Sequence, residues 1–117
     1  MSNENCERFI NGCQIVIDAL DSIDDRFILQ NSCKNLNIPL VHGAISGWYG
    51  QISIIYPGDD TLEHIYKSKK EIENKLGNHS FTPGLVASIQ VSEVIKVLLK
   101  KGDILRSKVL LIDLLYG

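Results

Sequence analysis

Paired cysteines are missing from this sequence of 117 residues. Its three cysteines, Cys6, Cys13 and Cys33, are odd in number and form no C-x-x-C spacing, which excludes a disulfide framework and a zinc knuckle. They read as reduced thiols, with Cys13 and Cys33 expected in or near the core. Long apolar runs are missing too. None approaches the ~18 residues of a membrane span, and the polar start Met-Ser-Asn-Glu-Asn does not fit a signal peptide, so a cytoplasmic protein without a membrane partner is expected. With a net charge of −2 and no basic cluster beyond Lys67, Lys69 and Lys70, nothing points to nucleic acid. Absence of a G-x-G-x-x-G before a helix disfavours half of a nicotinamide-dependent dehydrogenase. The glycines at 43, 47 and 50 do not replace it, because both of their flanks read as strands.

What remains is an ordinary globular composition, 44% apolar and 22% charged, at a length that fits one domain spanning residues 1–117. The chain is organised around residues 13–26. There Ile15, Val16 and Ile17 form a β-branched run with no polar face, which suits a strand covered on both sides of an α/β sheet. Before it, residues 4–12 read as the tail of a helix stopped by Gly12. After it, a helix is expected over residues 22–36, capped by Ser22 or Asp21 and closed by Asn37 and Pro39. Residues 39–44 and 51–56 read as a hairpin with a six-residue connection, on which Trp48 and Tyr49 form either an exposed partner-binding pair or, as the favoured reading, lids over the core.

Pro57-Gly58 breaks the chain, and a surface helix is expected over 59–76, with Leu62, Ile65, Tyr66, Ile72 and Leu76 on one side and a solvated Glu71–Lys75 pair. Thr82-Pro83 opens a helix running to residue 101, whose stripe Ala87, Val91, Val94, Ile95 and Leu98 reads as core. Residues 109–112 read as a buried strand ending in Asp113. Together these make a layered, Rossmann-like α/β half-domain with a mixed sheet of about four strands and helices packed on it.

Ligands of open α/β sheets bind beyond strand ends, and Asp18 and Asp21 stand there. The bland reading makes them helix-capping acids that favour the helix dipole. The sharper one lets a carboxylate hold Mg²⁺ on a nucleotide, since a hard cation takes one or two carboxylates plus phosphate oxygens. His42, His64 and His79 fall singly in different elements, so no histidine metal cluster is expected.

The stretch Ile17-Asp-Ala-Leu-Asp-Ser-Ile-Asp-Asp-Arg26 resembles the strand-end D-x-x-D-(N/S)-x-x-x-R signature of the ThiF/MoeB/HesA family, bacterial relatives of ubiquitin-activating enzymes. Further matches follow in the same order: Pro39-Leu-Val-His-Gly-Ala44, Gly47-x-x-Gly50-Gln51, Pro83-Gly-Leu-Val-Ala-Ser-Ile-Gln90 with Glu93-x-Ile95-Lys96, and a closing strand ending in Asp113. The resemblance implies ATP-dependent adenylation of the C-terminal glycine of a ubiquitin-like sulfur-carrier protein. It also implies a homodimer. By position, Asp21 matches the acid near Mg-ATP, Asp18 closes the strand beside it, and Arg26 matches the signature arginine that orients the acids or the nucleotide edge. The family's glycine-rich loop and catalytic arginine and lysine belong to an N-terminal half that has no match here, so the chain is expected to be a C-terminal half, inactive alone. The zinc-binding C-x-x-C pairs are also missing, and residues 57–80 lack the cysteine of the family's crossover segment, so neither zinc nor thiol transfer there is expected. The alternative function is a non-catalytic Rossmann-like module for dimerisation or partner docking.

Overall fold

The computed structural model describes residues 2–66 and 81–117. Helix α1 (Asn3–Ile10) leads to strand β1 (Val16–Ile17), helix α2 (Ile23–Asn35) and a hairpin of β2 (Leu40–Ser46) and β3 (Tyr49–Ile55). A short α3 (Thr61–Ile65), a long α4 (Phe81–Leu99) and β4 (Leu110–Asp113) complete the described chain. The sheet order is β1-β2-β3-β4, with β1 parallel to β2 and the other pairs antiparallel, which is the mixed four-stranded α/β arrangement expected.

Local chemistry explains α2. The Ser22 hydroxyl accepts the Asp25 N–H at 3.4 Å, Asp24 and Asp25 sit in the first turn, and Lys34 sits in the last. Asn37 then turns left-handed at φ 57°, and the Ile38 N–H closes on the Cys33 carbonyl at 2.8 Å. The hairpin is tighter than its glycines imply. Ser46 pairs with Tyr49, so the connection is Gly47-Trp48 alone, with Gly47 at φ 61°, in place of the expected six residues. Gly43 and Gly50 lie inside the strands because α4 presses flush on them. A Cβ on Gly50 would stand 2.6 Å from Val86 Cγ2, and one on Gly43 would overlap the Gln90 amide. Trp48 serves as a lid, its ring 4.9 Å from that of Phe81, whereas Tyr49 faces outward.

Two apolar layers flank the sheet. Cys6, Leu29, Cys33, Ile38, Leu40, Ile55 and Leu62 pack under the first three helices, and Val41, Ile52, Ile54 and Val86 under α4. Cys6 and Cys33 are buried while Cys13 is exposed, which corrects the expected pair, because α1 turns Cys6 inward and Cys13 follows its end. Burial, and then the neighbouring Cys6, Asp18 and Cys13, push the Cys33 thiol up to about 12, so it stays a neutral core side chain.

Further expectations need correction. Strand β1 has two paired residues, and Ile17 is 41% exposed, since α4 covers β2 and β3 and no described strand lies on the other edge of β1. Strand β4 is an outer strand with Leu111 74% exposed, not a buried one. The described part of the 59–76 helix is the five-residue α3, while Ile72, Leu76, Glu71, Lys75 and His79 lie outside the described residues.

Last, α4 turns the opposite way from its apolar stripe. Ala87, Val91, Ile95 and Leu98 are exposed, Val94 is half-buried, and the sheet side is Thr82, Val86, Gln90 and Glu93. Polar partners choose that side. Gln90 Nε2 donates to the Asp18 carbonyl at 3.0 Å and the Val41 carbonyl at 3.2 Å, while Glu93 accepts the Leu105 N–H at 3.0 Å and pairs with Lys96. By length and composition α4 also meets the measure of a membrane span, unlike the expectation from apolar runs. Its buried Gln90 and Glu93 tie it to the sheet and the loop that follows.

Candidate functional site

Beyond the end of β1 the chain turns through Asp18, Ala19, Leu20 and Asp21 into the Ser22 cap of α2. The Asp18 N–H is the last ladder donor, to the Val41 carbonyl at 2.8 Å, which drives its side chain inward to 0% exposure. There Oδ1 accepts the Leu20 N–H at 3.0 Å, and Oδ2 lies 2.8 Å from His42 Nδ1 and 3.4 Å from Arg26 Nε. The last contact is an ion pair without hydrogen-bond geometry, since Arg26 Nε has no hydrogen-bond partner. A buried carboxylate is tolerated because opposite charge and donors surround it.

Arg26, 7% exposed, reaches from the first turns of α2. Its Nη2 donates to the Leu20 carbonyl at 2.5 Å and its Nη1 to the Tyr66 hydroxyl at 3.2 Å. Tyr66, at the end of α3, also receives Gln51 Nε2 at 3.2 Å, and the same amide nitrogen stands 3.1 Å from His42 Nε2. Burial raises the Tyr66 phenol above the usual tyrosine range, with Asp18 adding and Arg26 opposing, so the hydroxyl keeps its proton.

Asp21 stands apart from this network. It is exposed, one residue before the helix cap, and among the described residues its carboxylate has no hydrogen bond or ion pair. Of the three residues singled out by sequence, the fold joins Asp18 to Arg26 below the loop and leaves Asp21 above it in solvent. An exposed, unengaged carboxylate beyond a strand end fits a Mg²⁺ whose other ligands are phosphate oxygens and water. The saturated Asp18 carboxylate has no oxygen face open to such an ion. Among the described residues no three His, Cys, Asp or Glu side chains group as a self-sufficient metal site.

Sequence reasoning assigned no role to His42, Gln51, Tyr66 or Gln90. Their signal was present in part: His42 and Gln51 are polar residues at inward positions of otherwise apolar strands, a pattern that marks buried hydrogen bonding. A cavity of about 250 Å³ lies elsewhere, beside the start of β2, lined by residues that include Gln30, Leu40, Asp59 and Glu63. Asp59 there is held by Arg106 through two bonds of 3.0 Å, which keep its carboxyl below the usual aspartate range. This cavity does not include the strand-end acids.

The fold is shared by a selenomethionine crystal structure of PaaA, with a TM-score of 0.68 and 13% identity, over 97% of this chain and 43% of that one. In sequence, the chain is 30% identical to the SAMP-activating enzyme E1 of Haloferax volcanii over 97% of its length and 44% of that protein's. It is 31% identical to the molybdopterin-synthase adenylyltransferase of Haemophilus influenzae over 97% of its length and 49% of that protein's. A probable molybdopterin-synthase adenylyltransferase of Gracilaria tenuistipitata var. liui is likewise 31% identical, over 95% of this chain and 33% of that protein. The chain thus spans less than half the length of these relatives. The sequence model of the ThiF family matches residues 1–117, and with the strand-end acids, the mixed sheet and the inward Gln90 all in that frame, the chain belongs to the ThiF family.

Proposed function

We propose that this chain is part of an ATP-dependent adenylyltransferase that activates the C-terminal glycine of a ubiquitin-like sulfur-carrier protein. The observation that carries this reading is the division of labour at the end of β1: Asp18 and Arg26 are used up inside the protein, and Asp21 is presented to solvent where α/β sheets take ligands. The names of the relatives, which are adenylyltransferases and an activating enzyme, support the reaction class.

Asp21 would hold the Mg²⁺ of ATP, which when bound offsets charge developing at the α-phosphate and accompanies the departing pyrophosphate. Arg26 fixes the Leu20 carbonyl from below, and Asp18 neutralises Arg26, so the loop carrying Asp21 is set before any nucleotide arrives. Neither zinc nor a thiol of the described crossover residues takes part in this reading. The direct test is ATP–pyrophosphate exchange by the full-length protein with a candidate carrier. Exchange is expected only when the carrier keeps its C-terminal glycine, and exchange that ignores the carrier's C-terminus would refute the substrate class.

These residues alone carry no glycine-rich phosphate loop, so calorimetric titration of the chain with Mg-ATP should show no binding at micromolar concentration. Micromolar affinity would mean that the nucleotide site lies elsewhere on this chain.

A second reading, a non-catalytic dimerisation or docking module, is favoured by two exposed features: the apolar stripe of α4 faces outward, and β1 has no described strand on its other edge. Both readings share a homodimer. A strand edge with unpaired N–H and C=O groups and no Lys or Pro between Cys13 and Ile17 recruits another chain, and a two-fold axis closes the pairing. Light scattering at micromolar concentration should give about twice the chain mass. A clean monomer would show that the edge is covered within the chain.

A further inference from the structure

The line of hydrogen bonds through His42, Gln51 and Tyr66 meets the strand-end loop at two points, Asp18 directly and the Leu20 carbonyl through Arg26. Its donors and acceptors fix where the protons are. An amide nitrogen only donates, so His42 Nε2, facing Gln51 Nε2 at 3.1 Å, is unprotonated and accepts. The ring proton is then on Nδ1, donated to Asp18 Oδ2 at 2.8 Å, and His42 is neutral. The opposite orientation of the Gln51 amide would set a carbonyl against Nε2 and demand a second ring proton, placing a buried cation in the same Asp18 cluster as Arg26.

With Gln51 so turned, its second N–H goes to Tyr66. That hydroxyl oxygen accepts Gln51 Nε2 and Arg26 Nη1, both at 3.2 Å, which fills its two lone pairs. A fixed Tyr66 oxygen fixes one arm of Arg26. The other arm holds the Leu20 carbonyl, one residue before Asp21. The ionisable groups facing His42 are Asp18 from the end of β1, Arg26 from α2 and Tyr66 from α3, with the Cys33 thiol near Asp18.

We propose that Tyr66 is a positioning residue for Asp21, acting through Arg26, and that neutral His42 sets its hydrogen bonding through Gln51. This rests on the reading that Asp21 faces Mg-ATP. In this arrangement the C-cap of α3 and the loop that follows β1 are registered to each other by one guanidinium. The adenylation site therefore depends on a tyrosine whose hydroxyl is engaged by Arg26 and Gln51.

The experiment has two arms. On the chain itself, nitrogen-15 spectra of the imidazoles should show His42 protonated at Nδ1 and bare at Nε2. Gln51→Glu, which offers only acceptors to Nε2, should add the second proton. Tyr66→Phe keeps the ring, edge-on to Phe27 at 6.2 Å and to His42 at 6.0 Å, and removes only the oxygen. It should speed amide exchange at Leu20, whose N–H is held by Asp18 Oδ1 at 3.0 Å, about tenfold while exchange at Val41 and Ile54 in the sheet stays unchanged. In the full-length enzyme, Tyr66→Phe should raise KM for Mg-ATP about tenfold and leave kcat within about twofold, the mark of lost ground-state positioning. Unchanged exchange at Leu20, or a wild-type His42 protonated at Nε2, overturns the proposal. If the chain behaves as expected but neither Tyr66→Phe nor Asp21→Asn alters Mg-ATP kinetics, the positioning device stands and the assignment of Asp21 falls.

Discussion

Replacing Asp18 with alanine should destabilise the domain by about 3–5 kcal/mol, the usual consequence of removing one partner from a buried ion pair. In a domain of this size that corresponds to a fall in Tm on the order of 15 °C or more. The magnitude follows from what is left behind. Arg26, 7% exposed, keeps its charge and loses its only described carboxylate. His42, at 0% exposure, loses the acceptor for its Nδ1 proton, and the Leu20 N–H loses Asp18 Oδ1. Asp18→Asn keeps the volume and one acceptor oxygen while removing the charge, so it should fall between wild type and alanine. Urea denaturation of the three proteins measures the series. A change below about 1 kcal/mol for alanine would mean that solvent or an unpaired Arg26 compensates, contrary to the burial of the cluster.

The same residues show how far the sequence is legible. Ser22, Asp24, Asp25 and Lys34 announce α2 because capping and dipole complementarity are local, decided within one or two helical turns. The strand-end position of Asp18 and Asp21 is equally local. What separates them is not: Asp18 finds His42 24 residues away, and the Gln90 amide that braces its carbonyl comes from 72 residues away. No spacing in the chain announces that one acid turns in and the other out.

The misreading of α4 has a related cause. Apolar residues run most of the way round this helix, so hydrophobicity does not select a face, and the strongest stripe, Val91-Ile95-Leu98, is the exposed one. The choice is made by Gln90 and Glu93, whose partners on the sheet and at Leu105 require that side to be inward. In the hairpin, Gly50 belongs to β3 instead of the connection, and with Gly43 it provides clearance for that same helix face. Both errors treated as local a feature that belongs to the contact between α4 and the sheet.

Asp21→Asn is expected to reduce ATP–pyrophosphate exchange about a hundredfold or more while leaving stability almost unchanged, because an exposed side chain without a described partner contributes to the ligand and not to the fold. The amide keeps the size and one oxygen of the carboxylate and removes the negative charge, so Mg²⁺ binding is the property most directly lost. Raising the Mg²⁺ concentration should recover part of the rate, which a packing defect would not allow. The decisive measurement is therefore exchange activity against Mg²⁺ in the full-length protein, set beside its Tm, for wild type and Asp21→Asn. A large rate loss, partly recovered at high Mg²⁺ with Tm unchanged, is the predicted result; exchange equal to wild type at every Mg²⁺ concentration would contradict it.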